Sequence, residues 1–140
     1  MSLEPYYKHT TYRFFPSSEE QIDLRIGKTS DLMNQFLVSN ASSSWAFITA
    51  WNPYSESMED DFNQKANNRL ESEIKSFSYY KGLGIPDGNS DWKPEESFLI
   101  LGISKERAYQ LGAQFEQVAI VYGELSKEAE LIFMEYEKNS

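Results

Sequence analysis

Residues 97–103 read Ser-Phe-Leu-Ile-Leu-Gly-Ile, apolar at odd and even positions alike. Side chains of a strand alternate between two faces, so a strand of this kind is stable only with both faces covered. The stretch therefore calls for a sheet with packing on each side, and the rest of the chain must supply both layers. The chain has 140 residues, 40% of them hydrophobic and 15% aromatic. That suffices for one domain over residues 1–140 and is short for two.

The flanking elements follow from periodicity. Residues 11–15 are β-prone, and Pro16-Ser17-Ser18 interrupts them. Ile22, Leu24 and Ile26 then alternate with Asp23 and Arg25, which predicts the second arm of a hairpin. Thr29 or Ser30 is placed to cap a helix carrying Leu32, Met33, Phe36 and Leu37. Residues 46–51 form a strand bounded by Asn52-Pro53. Met58, Phe62, Ala66, Leu70 and Ile74 recur every fourth residue and predict the longest helix, with Ser55 or Ser57 as its cap. Its Asn63, Asn67 and Asn68 are expected to face solvent, with bonding to the loop or to a ligand as the alternative.

Residues 76–81 are again β-prone, and the glycines and prolines of residues 82–96 predict a loop. Ser104 caps a helix that buries Ala108, Leu111 and Phe115. Residues 118–122 are a strand, and residues 129–134 pair with it across a turn containing Gly123.

From residue 46 to residue 122 the order is strand, helix, strand, strand, helix, strand. That is a ferredoxin-like βαββαβ core with an antiparallel sheet. An N-terminal β-hairpin plus helix precedes it, and an extra C-terminal strand follows. On the first core strand Ala46, Ile48 and Ala50 make a small face suited to helices. Phe47, Thr49 and Trp51 make a large face, to be covered by the N-terminal hairpin and helix or by a second subunit in a homodimer.

Charge narrows the partners. Twenty-two acidic against 13 basic residues give a net charge of -9. Lys8, Arg13, Arg25 and Lys28 are too scattered to form a basic patch, so neither nucleic acid nor an anionic membrane is expected as a partner. With no Cys and a lone His9, disulfides, thiolate chemistry and His- or Cys-built metal centres are ruled out within one chain. No signal-type or spanning apolar run occurs, so a cytoplasmic location is expected.

Cofactor motifs fail on inspection. Gly82-Leu83-Gly84 is followed by Asp87 where a dinucleotide fingerprint needs glycine. Asp87-Gly88-Asn89-Ser90-Asp91 has the alternating oxygens of a calcium loop. However, Trp92 occupies its glycine position and Phe98 its bidentate glutamate position. No cofactor and no metal are expected.

The strand order brings the end of the first core strand, the loop before the third and the start of the fourth to one edge. Asn52, Trp92, Glu95, Ser97 and Gln117 meet there, and polar groups on loops at a sheet edge are where binding residues usually sit. The edge is the expected binding site for a polar small molecule or peptide. Glu95, just ahead of a central strand, is the candidate general base if the protein is an enzyme. A structural role in contact with another protein is the third reading.

Three short motifs point further. Phe47-Ile48-Thr49-Ala50-Trp51-Asn52-Pro53, then Glu95-Glu96-Ser97-Phe98-Leu99, then Phe115-Glu116-Gln117-Val118-Ala119-Ile120 stand in that order. The chain thereby resembles a small bacterial family of unknown function that carries F-I-T-A-x-N-P, E-x-S-F-L and F-x-Q-x-A-I. The resemblance implies a glycine at position 116, where this chain has Glu116. It carries no activity or site residues with it, but its motifs fall on the same edge.

Overall fold

The structure, a computed structural model, describes residues 3–88 and 93–136. Its order is α1 (Glu4–Lys8), β1 (Thr10–Ser17), β2 (Glu20–Leu24), α2 (Asp31–Ser39), β3 (Ser44–Ile48) and α3 (Asp60–Glu73). There follow β4 (Tyr79–Pro86), β5 (Glu95–Leu101), α4 (Lys105–Gln114), β6 (Ala119–Glu124) and β7 (Glu130–Phe133). The protein is α+β, with one antiparallel sheet in the order β2-β1-β4-β5-β3-β6-β7.

The sheet curls far enough for its two outer ends to meet. Ile26, beyond β2, bridges Ala129, ahead of β7, and the Gly27 N–H donates to the Ala129 carbonyl at 2.8 Å. The result is a half-barrel, the usual consequence of strand twist accumulating across many strands.

Both faces of β5 are covered, as its composition requires. Phe98 and Ile100 face outward, where α3 contributes Ala66 and Leu70 and α4 contributes Ala108 and Leu111. Leu99 and Leu101 face into the curl, against Phe14, Ile22 and Leu24 of the hairpin and Met33 and Leu37 of α2. On β3, Ala46 and Ile48 belong to the outer core, and Trp45 and Phe47 to the inner one. The large face of β3 is thus covered by the hairpin and α2 of the same chain. Ser30 and Ser104 cap α2 and α4, accepting the N–H groups of Met33 and Arg107 at 3.0 and 3.1 Å.

Several expectations are corrected. β4 runs on through Gly82 and Gly84 to Pro86, so residues 82–86 are strand and not loop. Gly82 is there for space, because a Cβ on it would sit 2.5 Å from the Arg13 carbonyl oxygen and 2.9 Å from the Phe47 ring. Gly123 likewise lies within β6, where its missing Cβ admits the buried Trp45 indole, and the turn comes after it. β3 stops at Ile48, three residues early. There Thr49 Oγ1 donates to the Glu96 carbonyl at 2.6 Å and accepts the Trp51 N–H at 3.0 Å, replacing the ladder with local bonds.

α3 starts at Asp60, and neither Ser55 nor Ser57 caps it. Met58 and Phe62 accordingly stay exposed while Ala66, Leu70 and Ile74 are buried. Asn68 faces solvent, but Asn63 and Asn67 are buried at 0% and 2% exposure, because both amides have partners inside. α1, five residues at the N-terminus, has no counterpart in the sequence reading.

Candidate functional site

The chain leaves β3 through a segment that is held rather than floating. The Ala50 N–H donates to Asn67 Oδ1 at 2.8 Å, and Asn67 Nδ2 donates to the Glu96 carbonyl at 2.8 Å. Two residues on, the Asn52 N–H donates to Asn63 Oδ1, and Asn63 Nδ2 returns a bond to Asn52 Oδ1, both at 2.8 Å. These bonds satisfy backbone groups that the end of the strand would leave unpaired.

The same segment stores strain. Asn52, Tyr54 and Ser55 have positive φ of 48°, 57° and 61°, a region costly for residues with a Cβ. The Tyr54 N–H donates to the Glu116 carbonyl at 2.7 Å, and Glu116 itself has φ 58°. Glu116 ends α4 as the left-handed residue of a Schellman turn. Its N–H bonds the Ala113 carbonyl at 3.1 Å, and the Gln117 N–H bonds the Gly112 carbonyl at 3.0 Å. The tight turn is made although the expected glycine is absent.

Inside the curl, at the end where β3 finishes and β5 and β6 begin, lies a cavity of about 170 Å³. Its wall is aromatic: Tyr6 and Tyr7 from α1, Tyr12 from β1, Phe47 from β3, and Trp51. Gly84 lies on the β4 side, and a Cβ there would meet only the Glu95 carbonyl oxygen, at 4.0 Å. Asn52, Glu95, Ser97 and Gln117 also line it.

The polar groups divide by what occupies them. Ser97 Oγ donates to the Glu95 carbonyl at 3.0 Å, and Gln117 Nε2 donates to the carbonyls of Trp51 and Phe115 at 3.3 and 3.2 Å. Both side chains are buried and serve as braces. Glu95 is different. Among the described residues its carboxyl takes a single bond, from Asn52 Nδ2 at 3.1 Å, and the side chains around it are largely apolar. Burial pushes its pKa up to about 7, against the smaller downward pull of the Asn52 amide. Burial also raises the Tyr6, Tyr7 and Tyr12 hydroxyls, with the nearby Glu95 charge adding to each, so all three remain neutral at ordinary pH.

Four of the five residues expected at the edge therefore meet around one cavity; Trp92 lies outside the described residues. Glu96, next to Glu95, is exposed, as is His9. Asp87 is taken up by Arg25 in a two-pronged pair at 3.1 and 2.7 Å, which holds its carboxyl below the usual range. Among the described residues no cluster of three His, Asp or Glu side chains could hold a metal, and positions 89–91 of the calcium-like spacing lie outside them. No helix among the described residues is long and apolar enough to cross a membrane. Sequence reasoning missed the wall formed by Tyr6, Tyr7 and Tyr12. The available signal was Tyr12, which alternates with Phe14 on the inward side of β1.

Residues 48–120 match the model of a family described as a protein of unknown function, DUF3293. The match runs from the last residue of β3 into β6 and takes in Asn52, Glu95, Ser97 and Gln117. No curated protein and no solved structure matches the chain.

Proposed function

We propose that this chain, which belongs to the DUF3293 family, binds a small molecule inside the half-barrel, with Glu95 and Asn52 as the polar anchor. The carrying observation is an aromatic-walled cavity of about 170 Å³ whose described lining includes one half-buried carboxyl. A cavity of about 150 Å³ accepts benzene, which sets the ligand at roughly one six-membered ring with a polar substituent. Wells of this kind, apolar with a few convergent polar groups, are the common form of small-molecule sites.

The scaffold reading supports this. We read β3, α3, β4, β5, α4 and β6 as a ferredoxin-like unit, since their strands run β4-β5-β3-β6 and both helices pack on one face. The hairpin and α2 then close its other face into a well. The setting we propose is the bacterial cytoplasm, in keeping with a chain free of cysteine.

Fragment screening by thermal shift tests the reading, with Gly84→Val as control because its side chain would fill the cavity. A ligand at about 100 times its Kd stabilises the native state by about 2.7 kcal/mol. Wild type should show such shifts with single-ring fragments and Gly84→Val should not. Equal shifts in both proteins would move the site elsewhere.

One observation favours a second reading. A carboxyl titrating at about 7 is suited to moving protons, so the cavity would be an active site with Glu95 as general base. Such an activity should fall by about 10²–10⁴ in Glu95→Gln. A turnover that survives this substitution removes Glu95 from the chemistry.

A further inference from the structure

Among the described residues the cavity lining has one ionisable carboxyl and no cation. Glu95 is the sole acidic residue of the described lining, in which no Lys, Arg or His occurs. None of the six ion pairs among the described residues includes Glu95. Among the described residues its only hydrogen bond comes from the neutral Asn52 amide. Around it stand three tyrosines, Phe47 and Trp51, and aromatic faces attract positive charge.

These facts sort ligands by charge. An anion would meet the Glu95 carboxylate with no cationic side chain of the described lining to offset it, inside a chain of net charge -9. Above about pH 7, where Glu95 is ionised, a neutral molecule would leave its carboxylate without a counter-charge, which is costly. A cation satisfies both the carboxylate and the rings. The geometry points to a small primary ammonium ion as the ligand, with its charge on Glu95 beside Asn52 and an apolar group of about one ring among the tyrosines. The inference deepens the binding reading above and rests on it.

An ammonium partner favours ionised Glu95, so binding should displace its proton wherever the free carboxyl still carries one. Affinity should rise with pH to about 7 and level off above. Tyr6 and Tyr7 from α1 and Tyr12 from β1 share the cavity with the carboxyl, and their raised pKa values keep them neutral throughout.

The test is titration of the full chain with benzylamine, benzyl alcohol and benzoate, followed by amide chemical shifts, at about pH 8 and about pH 5.5. Wild type at the higher pH should bind benzylamine about tenfold more tightly than benzyl alcohol, and benzoate not at all. The preference should shrink to about twofold in Glu95→Gln and in wild type at the lower pH. The wild-type pH arm stands whether or not the variant folds. Gly84→Val should bind none of the three. Benzyl alcohol matching benzylamine in wild type at the higher pH would overturn the ammonium and leave the pocket standing. A preference that survives both Glu95→Gln and the lower pH would do the same. If none of the three probes binds wild type, the pocket reading falls along with it.

Discussion

Asn52 and Asn63 hold each other through two hydrogen bonds of 2.8 Å, backbone N–H to side-chain oxygen in one direction and side-chain amide to side-chain oxygen in the other. Asn63 is fully buried on α3, and Asn52 has a left-handed backbone at the rim of the cavity. The pair thus fixes the orientation from which Asn52 Nδ2 reaches Glu95. Asn63→Leu keeps the volume but removes the partners of both Asn52 groups, its N–H and its Oδ1, from the inner side of the segment. It should cost about 2–4 kcal/mol in urea unfolding, with an unchanged m value. A loss below about 0.5 kcal/mol would mean that the exchange carries no weight.

Glu95 makes stability depend on pH in a predictable direction. Its native pKa of about 7 lies above the ordinary 4.5, so the folded state holds the proton more tightly than the unfolded chain. The stability this contributes is complete below about pH 4.5 and is lost as pH rises through about 7. Gln at this position never ionises. The stability of wild type minus that of Glu95→Gln should therefore fall by up to about 3 kcal/mol across that window. A flat difference curve would show the carboxyl to be solvated.

Glu116 offers a gain. It occupies the left-handed position of the α4 terminus, φ 58°, where glycine carries no Cβ penalty. Glu116→Gly should raise stability by about 0.5–1 kcal/mol, seen as a Tm increase of about 2–5 °C. A decrease would mean that the side chain, through its contact with the Tyr54 hydroxyl, supports the segment more than the strain disturbs it.

What could be read from the sequence was whatever one segment declares alone. The unbroken apolar run of β5 demanded cover on two faces, and the Ile22–Leu24 alternation demanded it on one. Strand order then carried Asn52, Glu95, Ser97 and Gln117 to one end, because residues far apart in sequence share an end of the sheet. The buried Asn63 and Asn67 were illegible for the opposite reason. An amide on a helix looks solvent-facing until the backbone groups it satisfies, at Ala50 and Asn52, are placed against it. α1 is too short for periodicity to register, so the tyrosines it contributes to the cavity were hidden with it. The glycines of β4 read as punctuation, whereas the fold uses them as space.

Gly82 and Gly84 turn that last point into opposing predictions from one strand. They sit two residues apart in β4, on the same face of the sheet. A Cβ on Gly82 would lie 2.5 Å from the Arg13 carbonyl oxygen, which is backbone of the neighbouring strand and cannot yield without distorting the ladder. Gly82→Ala should therefore destabilise by about 2–3 kcal/mol or prevent folding. A Cβ on Gly84 meets open cavity, so Gly84→Ala removes chain entropy from the unfolded state without a clash and should stabilise by about 0.4–1 kcal/mol. Denaturant melts of the two single variants decide it. Equal losses at both positions would show that the space beside Gly84 is not there, and the ligand well would close with it.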